Sequence, residues 1–234
     1  MSLGILVLQA GQPAPALRNR AGDYVDWFAD AFGPDIQLEP LPVFQGAPFP
    51  DPRLFDGVLM TGSPLSVRDY DREPWMQAAG GYLLRAAAHK PVLGVCFGEQ
   101  LLARALGVAV TKNPRGREIG TIDVALTDEG RAHPILGKLA STTFQATHED
   151  VAVELPKGAT LLGQNAFGVQ AFSVDEKILA VQFHPELDAA RMRTLIDTRA
   201  EPLKAEGIYE RARDAVRETP AGPQLLARWA ASLR

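Results

Sequence analysis

Short apolar runs alternate with amphipathic stretches through the first half of the chain. The apolar runs are continuous and four to eight residues long, which is typical of strands buried on both faces of a parallel sheet. Between them, apolar side chains recur at helical spacing. This alternation predicts a doubly wound α/β sheet. The predicted strands are residues 3–8, 36–43, 55–60 and 91–95, and the predicted helices are residues 22–32, 75–88 and 100–106.

The pattern changes after Gly107, where strand-like runs follow one another without long helices between them. Such runs, separated by turns, predict antiparallel hairpins added to the parallel sheet. From residue 187 onward the pattern is mostly helical, with a break at residues 219–223. Because nothing in the composition marks a linker, we expect one domain. The added β-type runs are residues 119–126, 142–147, 160–163, 169–174 and 178–183.

Composition and charge exclude several classes of function. The 234 residues are 46% hydrophobic and 22% charged, with a formal net charge of −4 and no basic block, so nucleic-acid binding is not expected. The single cysteine allows no intramolecular disulfide and no multi-cysteine metal site. No signal peptide or membrane span is apparent, so we expect a cytoplasmic protein that does not bind a membrane.

The single cysteine lies in a G-x-C-x-G motif made by Gly94, Cys96 and Gly98, between an apolar strand and an apolar helix. This is the cysteine form of the nucleophile elbow, a sharp turn that exposes the nucleophile at the end of a sheet. The two glycines remove side chains that would clash where strand and helix meet. The positive end of the helix dipole favours the thiolate of Cys96. We therefore predict that Cys96 is a catalytic nucleophile rather than a buried apolar residue.

A second apolar strand ends in the sequence His184–Pro185–Glu186. A cysteine nucleophile needs a base that accepts its proton and returns it to the leaving group. The base in turn needs a third group that fixes its orientation and tautomer. Downstream of an elbow, this short motif predicts that His184 is the base and Glu186 its orienting partner.

Attack on an amide carbonyl also needs backbone N–H groups that stabilise the oxyanion. An elbow supplies one from the residue after the nucleophile, here Phe97. The loop at residues 61–64 follows another predicted strand, and Gly62 in it allows close approach of the main chain. We predict that Gly62 supplies the second N–H group, with an ordinary turn as the equal alternative.

The other three histidines give weaker signals. His89 and His133 precede prolines or lie next to them in turn-rich segments, and we expect them to be surface or structural residues. His148 lies beside Glu149 and Asp150 and stays ambiguous, but adjacent carboxylates with one histidine match no metal-ligand spacing. We therefore expect neither a metal nor another cofactor.

Together these motifs resemble the class I, triad-type glutamine amidotransferases, and especially their free-standing, GMP-synthase-like members. The resemblance extends from about residue 4 to residue 190. It implies a three-layer, flavodoxin-like fold in which a mostly parallel central sheet carries added antiparallel strands. The segments that carry it are residues 22–24, 61–64, 94–100, 118–120, 147–150 and 182–186.

The resemblance implies that Cys96 attacks the side-chain amide of glutamine, releasing ammonia and forming a γ-glutamyl thioester that water resolves. It further implies that Gln100 helps to bind glutamine and that residues 147–150 lie near the α-amino and α-carboxylate groups of the substrate. Two positions depart from the family pattern: Glu99 replaces a frequent histidine, and Val108 a frequent glycine. A carboxylate at position 99 would disfavour the thiolate or change the substrate preference.

Three functions remain open on the sequence alone. The first is a glutaminase that delivers ammonia to a separate synthetase partner, and the second is a stand-alone hydrolase of γ-glutamyl conjugates. A binding or sensing protein without catalysis is the third. We expect residues 1–190 to form the catalytic domain and residues 191–234 to form a helical extension packed on it, with a partner or dimer surface as the alternative role of these helices.

Overall fold

A central eight-stranded sheet runs through the protein, which a computed structural model describes over residues 3–234. Two small two-stranded sheets accompany it. In chain order the strands are β1 Leu3–Gln9, β2 Ile36–Pro42, β3 Gly57–Met60, β4 Val92–Val95, β5 Val110–Lys112, β6 Glu118–Asp123, β7 Ala125–Leu126, β8 Thr143–His148, β9 Asp150–Ala152, β10 Thr160–Asn165, β11 Gly168–Val174 and β12 Ile178–Val181.

The order of strands in the central sheet is β2-β1-β3-β4-β12-β11-β10-β7. The five strands from β2 to β12 pair in parallel, and the three beyond them pair antiparallel. The parallel part has the 2-1-3-4-5 order of flavodoxin-like sheets. The predicted mostly parallel sheet with added antiparallel strands is therefore confirmed.

Helices cover both faces of this sheet, because alternate residues of each strand point to opposite sides. The helices are α1 Pro15–Ala21, α2 Tyr24–Phe32, α3 Pro74–Ala87, α4 Phe97–Ala105, α5 Asp128–Ala132, α6 Ala189–Thr198, α7 Ala200–Ala205, α8 Tyr209–Asp214 and α9 Ala221–Ala231. On one face Leu6 and Met60 pack in a core with α3 and α4, and on the other Val7 and Leu59 pack with α2 and α9.

Two predicted elements differ from the structure. Helix α4 begins at Phe97 rather than at residue 100, because the chain turns directly from Cys96 into the helix. The run at residues 119–126 was expected to be one strand of an added hairpin. Instead it divides at the buried Val124 into β6, which pairs with β8 in a separate sheet, and β7, which lies at the edge of the central sheet.

The small β6–β8 sheet places two segments beside the carboxyl end of β12. Glu118 is opposite His148 in its register, and Gln145 of β8 forms an isolated antiparallel bridge with His184. The backbone N–H of His184 donates to the carbonyl oxygen of Gln145 at 2.8 Å. The histidine that follows β12 is thus held by main-chain contacts outside the central sheet.

The four helices after residue 188 pack in two places. Helices α6, α7 and α8 form a core with α1 and α2 that includes Trp27, Met192 and Leu203, whereas α9 lies on the sheet through Leu225 and Trp229. The boundary at residue 190 between a catalytic domain and an extension stays a prediction. None of the helices in residues 3–234 has the length and apolar character that crossing a membrane requires.

Candidate active site

Cys96 lies at the turn between β4 and α4 with a left-handed backbone, at φ 53° and ψ −99°. Such a conformation is strained for a residue with a side chain, and it projects the sulfur away from the sheet. A Cβ on Gly94 would lie 2.7 Å from the carbonyl oxygen of Gly98, and one on Gly98 would lie 2.6 Å from that of Met60. Both glycines are therefore required for the close approach of strand and helix, as the elbow motif predicts.

His184 follows β12 and contacts the carboxylate of Glu186, with 2.7 Å between Nδ1 and Oε1. Both side chains are buried. Within the described chain, residues 3–234, Nε2 of His184 has no hydrogen-bond partner. The carboxylate thus fixes the ring through Nδ1 and leaves Nε2 free to exchange a proton with a neighbouring group.

Burial opposes the charged form of His184, but the negative charges of Glu186 and Cys96 outweigh it and raise the pKa of His184 to about 10. The hydrogen bond that Nδ1 of His184 donates to Glu186 acts in the same direction. The imidazole is therefore protonated at neutral pH and can donate a proton to a leaving group. The structure brings Cys96, His184 and Glu186 together from separate strand ends.

Gly62 faces both Cys96 and His184 from the loop after β3. A Cβ at Gly62 would lie 2.8 Å from Cε1 of His184 and 3.8 Å from Cβ of Cys96, so only glycine fits without displacing the ring. Thr61 holds the loop, because its Oγ1 accepts from the N–H of Ala10 at 3.1 Å and donates to the carbonyl oxygen of Gly62 at 2.9 Å. In the described chain the Gly62 and Phe97 amides have no backbone acceptor. Neither N–H group is therefore used by a main-chain carbonyl oxygen.

Gln100 lies on the first turns of α4 and lines the cavity beside Cys96. Its Nε2 donates to the carbonyl oxygen of Asp150 at 3.0 Å and to Oε1 of Gln182 at 2.9 Å. Because both amide hydrogens are used in this way, its Oε1 is left as an acceptor at the cavity wall.

His148 belongs to a second buried histidine–carboxylate pair, whose role the sequence left open. Its Nε2 lies 2.8 Å from Oε2 of Glu118, and its Nδ1 lies 3.0 Å from the carbonyl oxygen of Asp150. Asn165 and Gln170 also donate to the Glu118 carboxylate. This network pins the turn between β8 and β9, where the carbonyl oxygen of Thr147 lies 3.9 Å from Sγ of Cys96.

Glu99 is buried on α4 with 1% of its surface exposed, and its Oε2 has no hydrogen-bond partner in residues 3–234. Burial raises the pKa of Glu99 to about 8. The side chain is therefore mostly neutral at pH 7. The negative charge that would disfavour the thiolate of Cys96 or change the substrate preference arises only in alkaline solution.

A cavity of about 460 Å³ opens in front of Cys96. Phe97, Gln100 and the turn at residues 147–150 contribute to its walls, and three arginines lie around it: Arg68, Arg117 and Arg199. No group of three or more His, Cys, Asp or Glu side chains in the described range could hold a metal ion.

The C-terminal helices contact the site at two points that sequence reasoning did not identify. A Cβ at Gly222 would lie 2.4 Å from the carbonyl oxygen of Pro185, between His184 and Glu186. Arg199 donates from Nη1 to Oγ1 of Thr147 at 2.9 Å. No local motif marks either position, because each acts on a segment distant in the chain.

Comparison with known proteins places most of the chain in one family. The family model "Glutamine amidotransferase class-I" matches residues 47–198. A solved glutamine amido transferase from Methylobacillus flagellatus superposes with a TM-score of 0.76, covering 100% of this chain and 96% of that one at 24% identity. That likeness supports the fold alone.

Three relatives of this chain carry different names. A glutamine amidotransferase-like protein, chry6, of Gibberella zeae is 31% identical over 70% of this chain and 67% of its own length. Gamma-glutamyl peptidase 2 of Arabidopsis thaliana is 26% identical over 94% of this chain and 91% of its own. One subunit of the glutamine-hydrolyzing GMP synthase of Sulfurisphaera tokodaii is 34% identical over 57% of this chain and 68% of its own.

Proposed function

Because the chain belongs to the class I glutamine amidotransferases, we propose that it is an amidohydrolase that cleaves the γ-carboxamide of glutamine through Cys96. The observation that carries the proposal is the contact of three separate segments. The elbow brings Cys96, the end of β12 brings His184, and the loop after β3 brings Gly62 within one small volume.

In the proposed acylation step, the thiolate of Cys96 attacks the γ-carbonyl carbon and the carbonyl oxygen becomes an oxyanion. The N–H groups of Gly62 and Phe97 donate to this oxyanion. His184, held by Glu186, then transfers the proton on Nε2 to the amide nitrogen. The C–N bond breaks, ammonia leaves, and a γ-glutamyl thioester remains on Cys96.

The deacylation step reverses the role of His184. Its Nε2, now neutral, accepts a proton from water, and the resulting hydroxide adds to the thioester carbon. The same two N–H groups stabilise the second oxyanion. Collapse breaks the C–S bond, releases glutamate and returns the thiolate of Cys96 opposite a protonated His184.

The glutamyl part of the substrate has a matching group in the cavity. Oε1 of Gln100 is an acceptor without a described protein donor, which suits the α-ammonium group. The turn at residues 147–150 lines the same cavity next to Gln100, and the His148–Glu118 pair holds it. Both features support the role that the resemblance assigns to these residues.

A second candidate differs only in the leaving group. The cavity of about 460 Å³ exceeds what glutamine, with ten non-hydrogen atoms, needs, and pockets of ~300–1,000 Å³ hold considerably larger ligands. The γ-glutamyl peptidase relative also aligns with nearly the whole chain. Both observations favour a stand-alone γ-glutamyl hydrolase, whereas the GMP synthase relative favours ammonia delivery to a separate synthetase subunit.

One assay tests the proposal and separates its two forms. The purified chain alone is incubated with glutamine and, separately, with γ-glutamyl-glycine, and released glutamate is measured. Cys96→Ala should abolish release from both, whereas Arg228→Met, an exposed change on α9, should leave it intact. Faster turnover of γ-glutamyl-glycine supports the stand-alone hydrolase, and faster turnover of glutamine supports the glutaminase. Release from neither substrate, or equal release by Cys96→Ala, rejects both.

A further inference from the structure

Arg199 lies between α6 and α7 and reaches the cavity wall from the C-terminal side of the chain. Thr147 connects it to the nucleophile. The hydroxyl of Thr147 accepts from Nη1 of Arg199 at 2.9 Å, and the carbonyl oxygen of the same residue lies 3.9 Å from Sγ of Cys96. The guanidinium and the reacting sulfur therefore lie next to the same residue.

The other two arginines of the cavity are already neutralised by carboxylates. Nε of Arg68 lies 3.1 Å from Oδ1 of Asp150, and Nη2 of Arg117 lies 3.4 Å from Glu149 and 3.1 Å from Glu206. Their contribution to binding an anion is reduced by these pairs.

Arg199 differs from them in its partners. None of the ion pairs described for residues 3–234 includes it, and the Thr147 hydroxyl is its one described acceptor. Glu149 is the nearby carboxylate, but Arg117 and Lys112 hold it at 3.4 Å and 3.7 Å. An arginine has five N–H donors in a planar fork and keeps its charge, so four donors remain for a ligand.

Burial lowers the pKa of Arg199, as expected for a guanidinium that is partly removed from solvent. A partly buried cation without a carboxylate partner is unfavourable, and a bound anion relieves that cost. The planar fork matches a carboxylate, which it can bind through two parallel hydrogen bonds.

We propose that Arg199 binds a carboxylate of the substrate in the cavity in front of Cys96, which makes the C-terminal helices part of the specificity site. The inference rests on the proposed function for the identity of the substrate. Two carboxylates fit this chemistry: the α-carboxylate of the glutamyl group, and a carboxylate on the leaving group of a γ-glutamyl peptide. Arg199 follows directly after the segment that the family model matches.

The first test uses no turnover. Cys96 is the single cysteine of the chain, so its alkylation can be followed by mass. Rate constants are measured with anionic iodoacetate and neutral iodoacetamide, and their quotient is compared among wild type, Arg199→Met, Arg199→Lys and Arg228→Met. Any effect on the reactivity of the thiolate itself cancels in this quotient.

We expect the quotient to fall about tenfold in Arg199→Met, which corresponds to ~1.4 kcal/mol of lost binding, since hydrogen bonds between a guanidinium and a carboxylate are stronger than neutral ones. Arg199→Lys, which keeps the charge but loses the fork, should lie between it and wild type. Arg228→Met should match wild type and controls for net charge. An unchanged quotient in both Arg199 variants, with iodoacetamide still reacting, overturns the proposal.

The second test identifies the carboxylate by turnover. We compare kcat/KM for γ-glutamyl-glycine and γ-glutamyl-methylamide, which share the α-carboxylate but differ in the leaving group. A loss in Arg199→Met confined to the glycine compound assigns the leaving-group carboxylate, and an equal loss on both, through KM, assigns the α-carboxylate. An effect on kcat alone shows a structural role and overturns the proposal. Alkylation that depends on Arg199 in a protein without turnover rejects the proposed function but keeps this inference.

Discussion

Two ionisable side chains near the elbow, Glu99 and His184, are both buried but differ in their partners. Glu99 has no opposite charge beside it, so burial alone acts on it and favours the neutral acid. His184 has Glu186 at 2.7 Å, and this carboxylate outweighs the effect of burial and favours the imidazolium. The contact between Glu186 and His184 keeps His184, the proposed proton donor, positively charged around neutral pH.

The first prediction concerns the alkaline limb of activity. In wild type, kcat/KM should fall as His184 loses its proton near pH 10, because the neutral ring cannot protonate the leaving nitrogen. Glu186→Gln keeps a hydrogen-bond acceptor but removes the charge. Since only the charge of Cys96 then opposes the effect of burial, the limb should move down by about 1–3 pH units. The pH dependence of kcat/KM with a γ-glutamyl substrate measures this shift.

The matched control for this change is Glu218→Gln, which removes an exposed carboxylate near the same end of the chain. Its alkaline limb should coincide with that of wild type. If the Glu186→Gln limb also stayed near pH 10, the pairing of Glu186 with His184 would not set the proton affinity of the ring.

The second prediction concerns stability against pH. The folded state keeps a proton on Glu99 up to about pH 8, whereas the unfolded chain loses it near pH 4.5. Between these values the folded state binds more protons, so the contribution of Glu99 to the free energy of unfolding falls by about 1.4 kcal/mol per pH unit. Below pH 4.5 and above about pH 8 that contribution is constant.

Denaturant unfolding of Glu99→Gln from pH 4.5 to 9 tests this sign. The variant lacks the titrating group, so its stability relative to wild type should rise from pH 4.5 to about 8 and then level off. Glu39→Gln, on the exposed side of β2, serves as the control and should show no such rise. A constant difference between Glu99→Gln and wild type over this range would show that Glu99 titrates alike in both states.

At the scale of single residues, the sequence predicts those candidate site residues that belong to a short local motif. Cys96, His184 and Glu186 belong to such motifs, and the structure places them together; their catalytic roles stay proposals. Arg199 has no comparable signal, because it faces Thr147 across 52 positions of the chain. The burial of Glu99 was equally hidden, since a glutamate on an amphipathic helix is ordinarily exposed.

At the scale of elements, helix α9 packs against the segment that carries His184. Gly222 packs against the carbonyl oxygen of Pro185, and Gln145 of β8 donates to the carbonyl oxygen of Arg217 at 2.8 Å. Gln145 also accepts from the backbone N–H of His184 through its own carbonyl. The position of His184 thus depends on β8 and on the segment that leads into α9.

The third prediction follows from this packing. In Gly222→Ala the new Cβ would lie 2.4 Å from the carbonyl oxygen of Pro185, so the His184 segment must shift. A displacement of about 1 Å at a catalytic group can lower the rate of order 10²-fold, so kcat should fall far more than KM changes. Ala227→Ser, at an exposed position of the same helix, should leave kcat unchanged. A normal kcat in Gly222→Ala would separate α9 from the positioning of His184.

Elements with a strong local hydrophobic pattern were predicted well, and elements that depend on tertiary contacts were not. Strands β1, β3 and β4 are buried apolar runs, and the sequence predicts each of them within two residues. Helix α1 was missed because its start at Pro15 reads as a loop, although proline suits the first turn of a helix. The pairing of β6 with β8 outside the central sheet depends on tertiary contacts that no local pattern contains.

At the scale of the whole molecule, segments that are far apart in the chain meet at the candidate active site. Cys96 comes from the middle of the central sheet, and Arg199 and Gly222 come from the C-terminal helices. The fold class was predictable because apolar runs that alternate with helices form a mostly parallel sheet with helices on both faces. The use of the C-terminal helices at the site was not, because amphipathic helices pack alike whether or not they touch a ligand.

The proposed steps use side chains of this chain, the substrate and water, so the central claim can be tested on the purified protein. The measurement is intact-mass analysis after reaction with a chloromethyl ketone analogue of glutamine, which places an electrophilic carbon where the γ-carbonyl would lie. We expect one covalent adduct per chain, located on Cys96, formed more slowly when γ-glutamyl-glycine is present and absent in Cys96→Ala. Failure to form this adduct while iodoacetamide still alkylates Cys96 would contradict the assignment of Cys96 as the nucleophile of a γ-glutamyl amidohydrolase.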